Sequence, residues 1–439
     1  MLNQIVEALK KRTDLAGWTV RQFQTREVQV YAVPRGIESQ REVDGEKYLI
    51  DVLRNTSATD GAPAVGSGDA SLLPGENIGH AIDQATLVAG LVVNPVHGLP
   101  GPAPFPDVAI CDADLQKDAS AVMLDVMERM RAAAAKNPDV RLTAAECFGE
   151  VRNTHLVNSR GIDAEQESTQ IDIEFVLHSQ KGDRESETFD AMTRRRVADW
   201  DLEAAIEDRA RYTLDSLEAE APTSWQGPVV LRHEALTVFL AGDNLNGSVI
   251  QTLASAESKY GGFSPWEVGK SVFHDEVKGD PLTVWANSAM PFGTASGCFD
   301  AEGLPAQRVE LIRENELVTF VASQRYADYL KIPSTGAFGN IELPPGKMPA
   351  SALLVEPYVE IVQFSWFNPD TITGDFATEI RFGYLVKNGI RKPFKGGQLV
   401  GNYMEALSDV RWSTEIGFFG GYLGPHTARF NSMKIAGPE

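Results

Sequence analysis

Apolar residues recur along this chain with two distinct periods, and the periods locate its regular elements. Leu2, Ile5, Val6 and Leu9 fall at helical spacing and predict an amphipathic helix at the start. Val28, Val30 and Ala32 alternate with polar residues before Pro34-Arg35-Gly36, which predicts a strand and a turn. Val122, Met123, Val126, Met127 and Met130 trace one face of a helix between Lys117 and Lys136, where methionine fills core gaps. From Arg141 to His178 the pattern is antiparallel strands: Ile171, Ile173, Phe175 and Leu177 alternate strictly, and Asn158-Ser159-Arg160-Gly161 makes the turn before them. A helix near 202–217 follows. Two stretches rich in Gly, Pro, Ser and Asp, 55–79 and 94–106, are expected to be long loops.

Residues 218–227 combine a proline, a glycine and small polar residues, and are taken as a boundary. Beyond them the chain is richer in glycine and short strand signals. Asn315-Glu316, Lys387-Asn388-Gly389 and Lys395-Gly396-Gly397 sit between apolar stretches as hairpin turns do. Apart from helical pieces at 233–241, 248–259 and 402–410, this half reads as mainly β. The expected fold is therefore α+β with two domains: N-terminal helices on an antiparallel sheet over 1–221, and a larger, mainly-β C-terminal domain over 222–439.

The length of 439 residues suits two domains. No apolar run reaches the ~20 residues needed to span a bilayer, so no membrane partner is expected. The first residues lack a basic segment followed by an apolar one. Three widely spaced cysteines, Cys111, Cys147 and Cys298, form neither a disulfide framework nor a paired metal motif. A reducing cytoplasm is the expected location. The net charge of −21 repels phosphate backbones, and the densest basic cluster, Arg194-Arg195-Arg196, is bracketed by Asp190, Asp199 and Asp201. No nucleic-acid partner is expected.

The chemistry concentrates at His233-Glu234, the opening of a short helix. In zinc hydrolases such a pair supplies a metal ligand and the base that deprotonates metal-bound water, with a second histidine on the same face. That histidine would fall at Thr237 or, one residue later, at Val238. Neither is a useful ligand. An isolated His-Glu dipeptide more often caps or solvates a helix start.

Several motifs in order give this dipeptide a context. Gly227-Pro228-Val229-Val230-Leu231, His233-Glu234 and Gly242-Asp243 come first, then Phe299-Asp300-Ala301-Glu302-Gly303, Ser334-Thr335-Gly336 and Thr373-Gly374-Asp375-Phe376-Ala377, and last Met433-Lys434-Ile435-Ala436-Gly437. Together they resemble the TldD/PmbA (TldE) family, once described as modulators of DNA gyrase and later as a peptidase pair. The resemblance runs loosely through the N-terminal half as well. It implies that catalytic members hold zinc with two histidines of a His-Glu-x-x-x-His helix and a cysteine near the C-terminus. Here Val238 occupies the second histidine's position, and the segment Gly417-Phe418-Phe419-Gly420-Gly421-Tyr422 has no cysteine. His233, Glu234 and Val238 therefore mark a degenerate site, with no catalytic residue and no cofactor expected. The role implied is that of the non-catalytic TldE/PmbA-like subunit of a TldD-type zinc metallopeptidase acting on unstructured peptides. The partner is then a TldD-like catalytic subunit, or a second copy in a homodimer. Two alternatives stay open: a metallopeptidase with a rearranged zinc site, recruiting Asp243, His274 or His426, and a stand-alone peptide- or ligand-binding homodimer.

Overall fold

The computed structural model describes residues 1–242 and 247–437. The N-terminal half is one antiparallel sheet covered on a single face. Its strands β1 (Gly17–Val33), β2 (Gly36–Ser57), β3 (Pro63–Leu72), β4 (Arg141–Asn158), β5 (Asp163–Lys181) and β6 (Arg184–Arg194) lie in the order β3-β2-β1-β4-β5-β6. Helices α1 (Leu2–Lys10) and α2 (Ile78–Leu91) cover Trp18, Val20, Tyr48 and Ile50. Helices α3 (Ala113–Ala135) and α4 (Leu202–Ser216) cover Val28, Val30, Ile171 and Ile173. The even-numbered residues of β1 feed both clusters, so period-2 alternation along one strand places all four helices on the same side. Met123, Met127 and Met130 are fully buried beneath α3, as the sequence pattern implied.

The expected loop over 55–79 is a correction. It holds the end of β2, all of β3 and the start of α2. Its glycines mark close contact rather than turns: a Cβ at Gly66 would lie 1.7 Å from the Ala89 carbonyl oxygen, and one at Gly68 would lie 2.1 Å from that of Ala85. The helix α2 carried no legible period because it is apolar on both sides, burying Ala81, Ile82, Ala85 and Ala89 while exposing Leu87 and Leu91.

In the C-terminal half, β7 (Trp225–Arg232) leads directly into α5 (His233–Ala241), with α6 (Val249–Leu253) and α7 (Ala256–Tyr260) next. The strands β8 (Val284–Asn287), β9 (Arg308–Arg313), β10 (Glu316–Leu317) and β11 (Asn340–Glu342) follow, with α8 (Gln324–Leu330) and α9 (Ala350–Leu353) among them. Then come β12 (Tyr358–Phe364), β13 (Asp375–Lys387), β14 (Ile390–Phe394), β15 (Gln398–Asn402), α10 (Tyr403–Ser408), β16 (Val410–Trp412), β17 (Ile416–Phe418), β18 (Tyr422–Pro425) and β19 (Thr427–Ala436). One sheet has the order β10-β9-β8-β11-β18-β17. The other closes on itself: β12-β7-β19-β15-β13 runs as neighbours and β13 pairs back to β12, making a five-stranded barrel with β14 and β16 attached. Inside it Phe239 of α5 packs against Phe367, Phe376, Tyr403 and Phe430. The fold is thus α+β as expected. The C-terminal part has the greater number of strands, β7 to β19 against β1 to β6, while the two parts are nearly equal in length.

Two of the three expected hairpin turns are turns. Asn388 and Gly389 take positive φ between β13 and β14, and Glu314 and Asn315 do so between β9 and β10. The third, Lys395-Gly396-Gly397, does not reverse the chain. β14 and β15 run along one edge of β13 in a single register, Phe394 opposite Gly383 and Gln398 opposite Glu379. The glycines kink a continuous strand, and Pro222 packs against Gly397, where a Cβ would lie 2.5 Å from its ring.

Candidate functional site

Where the two halves meet, the ends of β6 and β7 face one another across a cavity of about 520 Å³. The N-terminal half contributes Met192 and Arg194 of β6, Asp199 and Trp200 of the turn after it, and Asp208, Arg209 and Tyr212 of α4. The C-terminal half contributes Arg232, His233, Glu234, Ile361, Glu360 and Arg391, and Phe418 and Phe419 close one side.

His233 is placed by the backbone. It begins α5 with φ of 48°, a left-handed conformation that a non-glycine residue adopts at some cost. Its amide donates to the His426 carbonyl at 2.9 Å. The register explains the meeting: Thr427 of β19 lies opposite Arg232 of β7, so His426 and His233 are neighbours just beyond the paired segment. Their rings stack with centroids 5.2 Å apart and planes 12° from parallel. The Phe419 ring meets His233 edge-on at 5.8 Å. Although the side chain opens onto the cavity, protein on most sides and the Arg232 guanidinium hold its imidazole well below the usual range, at about 4. It is neutral at physiological pH.

Glu234 is tied down from the other half. Arg194, 5% exposed, donates through Nη2 to Glu234 Oε1 at 3.0 Å and through Nη1 to the Thr193 carbonyl. Around them the cavity is a set of shared ion pairs. Arg232 and Arg391 flank the single carboxylate of Glu360, at 3.5 and 3.0 Å, and Arg391 also stacks on Tyr384. Arg209 pairs with Asp190, and Arg211 with Asp208.

The donor set does not fit zinc. Lone pairs of two nearly parallel stacked imidazoles run in separate parallel planes and cannot converge on one ion. Glu234 is engaged by a guanidinium, and a phenylalanine ring stands where the glycine-rich C-terminal segment approaches His233. Among the described residues no group of three or more His, Cys, Asp or Glu could hold a metal.

Of the residues singled out from sequence, the fold brings His233, Glu234 and His426 together. It does not bring Val238 to the cavity. Five residues along a helix turn the side chain about 140° away, and Val238 packs against the C-terminal core. His274 is exposed and lines no part of this wall. Asp243 lies outside the described residues. What the sequence reading missed is the arginine triplet. Arg194 reaches Glu234, and Arg195, 7% exposed, donates to the carbonyls of Thr169, Gly293, Thr294 and Ser296. Arg196 lies over the Phe292 ring at 3.7 Å. A cluster weighed in the sequence only as a basic patch for phosphate backbones joins the two halves. A signal was present: the triplet ends an alternating strand, where outward and inward positions both carry arginine.

A one-face antiparallel sheet thus meets a small β-barrel at an arginine-lined cavity that holds the His-Glu pair. Residues 225–437 match the family model described as the PmbA/TldA metallopeptidase C-terminal domain. The chain therefore carries a C-terminal domain of the PmbA/TldD family, as the resemblance implied. An uncharacterised protein from Methanocaldococcus jannaschii is 25% identical over 315 residues, covering 69% of this chain and 70% of the relative. Among solved structures, TldE from Thermococcus kodakarensis matches with a TM-score of 0.81 and 18% identity, over the whole of both chains. A protein described as a modulator of a DNA gyrase, from Thermotoga maritima, matches at 0.79 and 17%, over 99% of this chain and 100% of that one. Another described in the same way, from Bacteroides thetaiotaomicron, matches at 0.79 and 14%, over 100% and 98%. At these identities the structural likeness speaks to the fold alone.

Proposed function

We propose that this chain is the non-catalytic, TldE/PmbA-like subunit of a TldD-type zinc metallopeptidase acting on unstructured peptides in the cytoplasm. One observation carries the reading: Glu234 is paired with a buried guanidinium, that of Arg194. A general base in a metallopeptidase has to accept a proton from a metal-bound water, and the ion pair with Arg194 occupies one oxygen of the carboxylate that would do so. The stacked His233 and His426 support the same reading, since they cannot share an ion. Peptide capture by strand addition is supported by β6, an edge strand whose Met192 and Arg194 stand in the cavity wall. In the described residues no helix is long and apolar enough to cross a membrane.

The test is to purify the full chain alone and with a chain carrying an intact His-Glu-x-x-x-His helix. Alone, it is expected to contain no stoichiometric zinc and to leave denatured casein uncleaved. With the partner it is expected to co-purify in a one-to-one complex that cleaves casein. Close to one zinc per chain together with chelator-sensitive cleavage by the chain alone would overturn the reading. A ligand-binding homodimer that ignores the partner would replace it with the stand-alone role.

A further inference from the structure

Over its last two turns, residues 85–91, the helix α2 is apolar on both sides, and a helix of that kind belongs in an interior. The chain covers only one side of it. Ala81, Ile82, Ala85 and Ala89 are buried against the sheet, while Leu87 and Leu91 on the outer side are 65 and 77% exposed. The apolar surface continues beyond the helix. Val93 and Val96 are exposed in the next segment, and Tyr260 and Phe263 are exposed in the C-terminal half. Side chains of α8 join these parts: Arg325 Nη2 donates to Asn94 Oδ1 at 2.9 Å, and Tyr329 packs on His97 at 5.5 Å and on Tyr260 at 4.8 Å. Among the described residues these six make a third of the eighteen exposed large hydrophobics, so the exposure is gathered rather than scattered. They present on the order of 600 Å², the upper end of what a soluble monomer leaves open.

The charge pattern decides what kind of partner suits this surface. The chain carries a net charge of −21. Yet residues 84–106 contain no Asp, Glu, Lys or Arg, and neither do residues 260–266. The one Asp of α2, Asp83, is paired with Arg12. The charged groups that bond to the patch come one for one, Arg325 with Asp328 of α8 and Lys259 with Glu257 of α7. A basic partner would be drawn to the acidic remainder of the surface. A strongly acidic partner is repelled there and meets least repulsion on an uncharged face. A second copy of this chain is such a partner.

We infer that two copies of the chain associate through this face, α2 against α2 about a two-fold axis. A two-fold contact uses the same residues on both sides. The helix can meet itself in that way, because Gln84, Leu87 and Leu91 stand in one line at spacings of three and four, the seam along which helices pair. With the helices antiparallel, Leu87 of each copy faces Leu91 of the other, and Val93 and Val96 extend the contact beyond the helix ends. About 600 Å² of apolar surface from each copy approaches the ~800 Å² per partner of a stable interface before any polar rim is added. The inference goes beyond the proposed function, since it concerns the chain with no catalytic subunit present.

The experiment is sedimentation velocity of the full chain alone over a range of concentrations, with two double variants. The parent is expected to sediment at twice the mass of the chain. Leu87→Glu with Leu91→Glu, and Leu87→Lys with Leu91→Lys, each set like charges across the axis. Each is expected to weaken self-association about a hundredfold or more. Both positions are exposed, so the circular dichroism spectrum is expected to stay that of the parent. Mixed in equal amounts, the two variants are expected to regain the dimer, because opposite charges then face each other. Ile390→Glu, at an exposed apolar position outside the patch, is expected to leave the dimer intact. A parent that is monomeric throughout, double variants that still dimerise, or a mixture that stays monomeric would overturn the inference. So would a monomer that uses this face only to bind a catalytic chain. Zinc content and casein cleavage enter none of these readouts, so this inference and the proposed function can fail separately.

Discussion

The two halves of this molecule meet at one cavity and bring opposite things to it. The C-terminal half brings the inherited chemistry, His233 and Glu234 at the head of α5. The N-terminal half brings what decides the state of that chemistry, the Arg194 guanidinium on Glu234. A positive charge that a metal would carry in a hydrolase is carried here by a side chain, fixed in place by a sheet made of other residues. The lesson is that the environment of a short motif can be set from outside the motif. Val238, in the same helix, packs into the C-terminal core, while Arg194 from the other half holds one oxygen of Glu234.

The comparison can be attacked first at the rigid packing of the N-terminal half. Gly66→Ala forces a methyl group onto the Ala89 carbonyl, with no flexible side chain able to move aside. We expect a loss of about 3 kcal/mol or failure to fold, read by urea denaturation. A change below about 0.5 kcal/mol, the range of a neutral surface substitution, would show that α2 does not press on β3 as described.

A smaller effect tests the bridge itself. Arg194→Met leaves Glu234 without its partner. Because the Glu234 side chain is 31% exposed, water recovers part of the loss, and we expect about 1–2 kcal/mol of destabilisation. Adding Glu234→Gln should restore part of it, since the uncompensated charge is then gone. If single and double variants are equally unstable, the pair contributes nothing across the interface and the comparison fails.

The smallest effect concerns a second contact between the halves. The turn Phe299–Gly303 packs on Leu156 and Ile162 of the N-terminal half. Within it Glu302 accepts from the Gln324 amide, and burial pushes its carboxyl up to about 7. The folded pKa lies above the unfolded one, so the stability contribution is full below about 4.5 and is lost as pH rises through 7. Glu302→Gln keeps the acceptor and removes the titration. Its Tm should exceed that of the parent at pH 8, and the difference should close by pH 5. A constant difference across that range would remove Glu302 as the cause.

Much of the architecture could be read from residues alone, and the reason is periodicity. Ile171 to Leu177 alternate because one face of β5 is core and the other is not, and Leu2 to Leu9 repeat because α1 buries one stripe. β3 and α2 escaped because close packing uses small residues, and Gly66, Gly68, Ala85 and Ala89 look like a loop to a pattern reader. At the site, the His-Glu pair was visible as a dipeptide. Its neighbours were not: Arg194 is 40 residues away, and His426 arrives through the register of β19 on β7. Register is a property of paired strands, and no single segment displays it.

Arg194 and Arg195 stand side by side at the end of β6, and successive residues of an extended chain face opposite ways. One serves the cavity, and the other threads its guanidinium among four carbonyls of Thr169 and the 293–296 loop. The strand therefore works as a reading frame. Two residues added or removed upstream in β6 would return an outward position to the outside, whereas one residue would exchange the two addresses. The arginine meant for Glu234 would face the carbonyl nest, and the nest's arginine would face the cavity. Insertions within β6 should be tolerated only in even steps, a grammar of length imposed by two neighbouring side chains of the same kind.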